Sequence, residues 1–207
     1  MMESKSIFKK LFLQPNCTYQ LSLFRLATKQ EISQLAGNNK NIKAMFEITS
    51  QPNGHFEDLH GLAIIELNTA DDAMDFSGSM NVRSVESTFL RVESEASLEL
   101  SQDKYYEFFA AWLKPGKEHL LKEFFVASEP IKQNYGRPVP QIKVEFETTP
   151  DEQSDIKTFS PHLSGIVEWN DESDVYQLLQ HPDFYDKAAP LFEKAILRME
   201  MILGKII

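Results

Sequence analysis

The chain has 207 residues, 42% of them apolar and 11% aromatic, enough to bury a substantial core as one domain or two small ones. Its formal charge of −10 supplies no basic stripe to displace counterions, which excludes non-specific binding to nucleic acid or an anionic membrane. No stretch approaches the roughly 20 apolar residues of a spanning helix, and Cys17, the single cysteine, can form no internal disulfide; a cytoplasmic protein in a reducing compartment is expected.

Residues 1–16 read as a separate extension. Leu11-Phe12-Leu13 behind Lys9-Lys10 is too short for a signal-peptide core, Glu3 argues against a transit peptide, and the segment is predicted to form a short amphipathic helix on the body. Thr18 to Leu26 reads as a strand. Thr28 caps a short helix to Ala36, with Glu31 completing a capping box. Ile42 to Thr49 and His60 to Leu67 are strands of a hairpin turned at Gln51-Pro52-Asn53-Gly54; a helix from Thr69 ends near Gly78, and Phe89 to Leu100 carries a fourth strand.

The same order then recurs. Tyr105 to Leu113 is a strand, and Pro115 opens a helix with Leu120, Leu121, Phe124 and Phe125 at helical spacing and Pro130 at its kink or end. Val139 to Thr149 and His162 to Trp169 form a second hairpin. Asn170 caps a helix through Gln180, His181-Pro182-Asp183 breaks it, Phe184 to Ala195 continues, and Leu197 to Ile206 is the last strand.

Three segments match between the halves in the same order: Tyr19 to Leu26 with Tyr106 to Leu113, Ile42 to Thr49 with Ile142 to Thr149, and His60 to Asn68 with His162 to Asn170. The second pair shares Ile, Lys, Phe, Glu and Thr; the third shares His, Ile, Glu and Asn. This points to a tandem duplication of roughly 100 residues per unit. Each unit reads β-α-β-β-α-β, so the fold class is α+β, with a first ferredoxin-like unit over 17–101 and a second over 102–207. The first unit's shorter leading helix marks it as the degenerate half.

The segment Gly165-Ile-Val-Glu-Trp-Asn-Asp-Glu-Ser-Asp-Val-Tyr-Gln-Leu-Leu-Gln-His-Pro-Asp-Phe-Tyr185, with Ala189-Pro190 and Arg198-Met-Glu-Met201 behind it, resembles the dimeric α+β barrel superfamily. It is similar to the third strand, second helix and fourth strand of small, largely uncharacterised barrel families related in fold to antibiotic-biosynthesis monooxygenases. The resemblance covers 104–207 well and 18–100 weakly. It implies a single-chain pseudo-dimeric α+β barrel: two four-stranded sheets face each other and the helices lie outside. The superfamily includes cofactor-independent monooxygenases, haem-degrading and haem-peroxidase branches, lactone isomerases and members without known activity. Fold alone therefore chooses no reaction, and no catalytic residue is carried over.

Alternation puts Ala44, Phe46, Ile48, Ala63, Ile65 and Leu67, with Val144, Phe146, Gly165, Val167 and Trp169, on the face that takes the helices. The opposite face holds Lys43, Glu47, His60 and Glu66, repeated by Lys143, Glu147, His162 and Glu168. His162, Glu168 and Glu147 are the candidate acid or base residues, and Tyr106, Trp112 and Trp169 the candidate ligand-binding aromatics. The competing structural reading makes Lys43–Glu66 and Lys143–Glu168 cross-strand pairs and gives His60 and His162 a shared loop hydrogen bond. The five histidines show no i, i+4 pair and there is no Cys pair, so neither metal nor cofactor is expected.

Three functions fit: a monooxygenase-like or isomerase-like enzyme, a non-catalytic ligand-binding module, or a structural or interaction protein with a salt-bridged interior. The partners expected are a small molecule, no nucleic acid and no membrane, for a monomer or homodimer. Any pocket should lie in the second unit, bounded by the long helix after Pro115, the sheet, and Trp169 or Trp112.

Overall fold

The computed structural model describes residues 10–15, 17–26, 40–53, 58–67, 82–91, 95–138, 157–158 and 161–207. The strands are β1 (Lys10–Leu13), β2 (Thr18–Leu26), β3 (Ile42–Asn53), β4 (Gly61–Leu67), β5 (Val82–Arg91), β6 (Ala96–Glu99), β7 (Tyr105–Leu113), β8 (Gly136–Pro138), β9 (Lys157–Thr158), β10 (Leu163–Trp169) and β11 (Ile196–Ile206). The helices are α1 (Glu118–Lys132), α2 (Glu172–Gln180) and α3 (Ala189–Ala195), the last entered through a π-helical turn at Phe184–Ala188. The expected helices after Thr28 and Thr69 and the expected strand over 139–149 lie outside the described residues.

Nine strands join in one sheet in the order β8-β10-β7-β11-β3-β4-β2-β5-β9. Within each half the order is second, third, first and fourth strand, the ferredoxin-like arrangement. The halves meet where β11 runs antiparallel to β3, and on the far edge β9 lies parallel to β5.

The β2–β4 hydrogen bonding repeats in β7–β10 residue for residue. Seven pairs, from Thr18↔Leu67 to Phe24↔Gly61, correspond to seven from Tyr105↔Trp169 to Ala111↔Leu163. The backbone N–H of His60 donates to the Phe24 carbonyl at 3.0 Å, and that of His162 to the equivalent Ala111 carbonyl at 2.8 Å. Two tyrosines repeat as well: the hydroxyl of Tyr19 accepts from the Gln14 N–H, and that of Tyr106 from the Ser101 N–H, both at 2.8 Å.

One cluster unites Leu21, Phe46 and Ile64 of the first half with Phe108, Ile166 and Ile202 of the second, which requires the sheet to curl until one face encloses a common core. The Phe46 ring stands 4.7 Å from that of Phe108, edge to face. Such pairs add about 0.5–1.5 kcal/mol beyond their buried area.

Four expectations are corrected. Lys10–Leu13 is a strand paired with β6; Leu11 and Leu13 are buried while Lys10 and Phe12 are exposed, a period of two that a helix would not give. The strand expected from Phe89 to Leu100 divides between β5, in the large sheet, and β6, which leaves it for β1. The expected turn at Gln51 is strand as far as Asn53, because β11 supplies a partner beyond the end of β4. Finally, Ala44, Phe46 and Ile48 face the barrel core with Leu62 and Ile64. A register shift at Lys43, between Ile42↔Ile65 and Ala44↔Ile64, exchanges the faces of β3, and apolar residues on both faces had hidden the choice.

Smaller shifts occur at helix ends. The helix expected from Pro115 starts at Glu118 and holds Pro130 in its last turn. Asp171, rather than Asn170, is the N-cap: it accepts from Ser173 N–H at 2.8 Å while Asp174 accepts from its own N–H at 3.1 Å. Val167 and Trp169 pack against Phe124, Val175, Leu178 and Phe184, the expected helix-facing side of the second half.

Candidate functional site

The second half leaves a cavity of about 290 Å³ between its sheet and its helices. Phe109 and Trp169 form the sheet wall, Phe124 and Phe125 of α1 the roof, and Phe184 and Phe192 the far side. These side chains reach one space because the exposed residues of α1 turn outward while Phe124 and Ile131 turn in. Gly165, on the neighbouring strand, makes room for the Phe109 ring of that wall: a Cβ there would lie 2.5 Å from the ring. Pro52 and Asn53, on the extension of β3, bring the first half to the cavity wall.

The charged lining residues among those described are Glu107, Lys132 and Glu193. Glu107 projects from β7 between Tyr105 and Phe109 on the helix-facing side and is buried. Its Oε2 accepts from the Trp169 indole Nε1 at 2.8 Å. Burial pushes its carboxyl above the ordinary range, opposed by the Lys132 charge and the Trp169 hydrogen bond. Lys132, in the last turn of α1, lays its ammonium over the rings of Phe124 at 5.3 Å and Phe125 at 5.8 Å. Burial lowers its pKa, against the opposing pull of Glu107 and Glu129. The two groups make no direct ion pair among the described contacts, and both residues line the cavity.

Of the five sequence candidates among the described residues, the structure brings one to this cavity: Trp169. Tyr106 is fully buried on the other sheet face, packed on Phe46 with ring centroids 5.4 Å apart. Trp112 stacks under the Arg198 guanidinium at 4.5 Å. His162 is exposed at the end of β10, its Nδ1 accepting from the Leu113 N–H at 3.1 Å. Glu168 is opposite Tyr106 on one side and Arg137 on the other. Glu147 lies outside the described residues, as does Lys143. The expected partner pair in the first half is present: Lys43 Nζ stands 2.7 Å from Glu66 Oε2.

Among the described residues the space between the sheets is packed rather than an open polar interior, with a void of about 10 Å³ beside Phe108, Ile202 and Glu200. Glu200 is buried there and bound by Arg198 at 2.7 Å. No group of three or more His, Cys, Asp or Glu among the described residues is arranged to hold a metal ion. Glu107 is the residue that sequence reasoning missed. The available signal was a lone carboxylate on the face of β7 that otherwise reads Tyr105, Phe109, Ala111.

No protein-family model matches the chain, and no curated protein matches its sequence. Solved structures match over nearly the whole length: an anthrone oxidase-like protein at 12% identity, covering 95% of this chain and 94% of that one, with a TM-score of 0.58. A chlorite dismutase variant from Candidatus Nitrospira defluvii matches at 11% identity over 94% and 93%, with a TM-score of 0.56. A monooxygenase-like protein from Fusobacterium nucleatum matches at 8% identity over 94% of each chain, with a TM-score of 0.52. At such identities the likeness is one of fold: the chain has the dimeric α+β barrel, ferredoxin-like fold. Among the described residues no helix is long and apolar enough to cross a membrane.

Proposed function

We propose that this chain is a small-molecule-binding α+β barrel protein that acts as a monooxygenase-like or isomerase-like enzyme on an apolar ligand held in the second-half cavity. The carrying observation is Glu107, a buried carboxyl fixed by Trp169 in an otherwise aromatic wall. Trp169 occupies Oε2, which leaves Oε1 for a ligand. Burial shifts Glu107 toward the protonated acid, the state needed to give a proton or hydrogen bond to a ligand oxygen, with Lys132 beside it to stabilise negative charge developing there. His162, Glu168 and Glu147 are set aside as the acid–base group in favour of Glu107, since the described pair lies away from the cavity.

The test pairs binding with turnover. Apolar ligands found by a fluorescence screen are titrated into the native chain and Glu107→Gln; conversion lost with binding kept supports the enzyme, whereas a ligand unchanged by the native chain points to a non-catalytic binding module. That second reading draws support from the aromatic lining, which supplies affinity without chemistry.

The architecture proposed is a tandem duplicate, residues 17–101 and 102–207 joined through the turn at Ser101 to Lys104. The repeated strand order, the seven matched register pairs and the two tyrosine hydrogen bonds support it. One chain then supplies both halves of a barrel, which suits a cytoplasmic monomer; sedimentation equilibrium distinguishes it from a homodimer.

A further inference from the structure

We infer that the ligand is a monoanionic apolar carboxylic acid, its carboxylate held between the Lys132 ammonium and the Glu107 carboxyl and its tail among the phenylalanines. This rests on the reading of the cavity as a ligand site and goes further by naming what fills it. Lys132 is the cation of the described lining, and its surroundings there are the Phe124 and Phe125 rings rather than a bonded carboxylate. An ammonium so placed is compensated when an anion enters. A neutral alcohol would add no counter-charge to that of Glu107 and Glu129, and an amine would be repelled.

Glu107 selects the charge number. Trp169 holds one of its oxygens, and the other meets the ligand. Protonated Glu107 donates to one ligand carboxylate oxygen while Lys132 donates to the other; burial favours that proton on Glu107, against the pull of the Lys132 charge. A second negative charge on the ligand would find no further described cation in the wall and would approach Glu193. The remainder of the lining is apolar, so the tail is apolar. At about 290 Å³ the space is at the small end of ligand pockets, which favours a short chain or one or two rings.

The test uses the full chain and three probes with one tail: octanoate, octanol and octylamine, titrated calorimetrically at pH 7. Octanoate should bind at least about tenfold more tightly than octanol, a difference well within what one charge-assisted contact supplies, and octylamine should bind most weakly. Lys132→Met should bring octanoate to the octanol level while octanol affinity holds. Lys132→Arg should keep the preference, and it serves as the decisive variant if Lys132→Met fails to fold. Equal binding of octanoate and octanol to the native chain, or a Met variant that keeps the preference, overturns the carboxylate assignment alone. Binding of none of the three overturns the ligand-site reading and this inference with it.

Discussion

The Trp169 indole N–H donates to the Glu107 carboxyl at 2.8 Å inside an apolar wall, across two neighbouring strands of the second half. Each group answers the cost of burying the other, since an unpaired buried polar atom costs roughly 1–3 kcal/mol. Trp169→Phe should therefore destabilise the chain by about that amount plus lost packing, read as a lower urea midpoint at unchanged slope. Trp169→Phe combined with Glu107→Met should cost less than the two singly, because the second change removes the stranded acceptor. Full additivity would show that the contact contributes nothing.

The raised carboxyl of Glu107 gives stability a sign with pH. A folded-state pKa above the unfolded value favours the folded state below the unfolded value, and that contribution disappears as pH rises through the folded one. Glu107→Gln stays neutral and can still accept from Trp169. Its melting temperature should converge with the native value near pH 4 and exceed it increasingly toward pH 8, by about 2–4 °C for each kcal/mol. The Lys132 charge opposes the trend but ranks below burial. A gap that closes on raising the pH would mean that the Lys132 charge outweighs burial.

Much of this fold was legible because the matched segments of the two halves can be compared with each other. Tyr19 and Tyr106, and His60 and His162, align in sequence and then make the same hydrogen bonds in space. The face of β3 was not legible: Ala44, Met45 and Phe46 are all fully buried, so alternation gave no parity, and a single register shift decided it. The site was half visible. Trp169 stood out as a large aromatic, but Glu107 becomes informative only when α1 closes over β7, a long-range event that one strand's pattern does not encode.

The twin tyrosines make a symmetric prediction. Each hydroxyl accepts a backbone N–H five residues back at 2.8 Å, so Tyr19→Phe and Tyr106→Phe should each cost about 0.5–1.5 kcal/mol. Burial pushes the Tyr19 phenol up to about 12 from 10.0, partly offset by the Gln14 hydrogen bond. Its contribution to stability is thus present below pH 10.0 and lost as pH rises through about 12. Alkaline absorbance titration should find one late phenol fewer in Tyr19→Phe; an unchanged late fraction would contradict the assignment.

Corresponding cross-strand pairs fill space in opposite ways. Phe24 faces Gly61 in the first half, whereas Ala111 faces Leu163 in the second. A Cβ on Gly61 would lie 2.2 Å from the Phe24 ring, so Gly61→Leu should cost about 1–3 kcal/mol or more by overpacking. Phe24→Ala alone should leave a hole and cost about 3–5 kcal/mol. The combination Phe24→Ala with Gly61→Leu installs the second half's arrangement and should recover part of both losses. Thermal unfolding of the three variants decides it, and a double variant as unstable as the sum of its parents would deny the equivalence.

Ligand binding should follow the cavity wall. Phe124→Ala removes part of the roof beside Lys132, so ligand affinity should fall by at least about tenfold, the loss expected for roughly 1.4 kcal/mol of contact. His162→Ala should leave affinity unchanged within about twofold, since that ring is exposed and bonded to the Leu113 N–H outside the cavity. Equilibrium titration of both variants with the same ligand makes the comparison independent of which molecule the screen supplies. A larger loss at His162 than at Phe124 would move the site from the helix side of the sheet to the barrel rim, and would return His162 to the acid or base role for which its place on the polar sheet face made it a candidate.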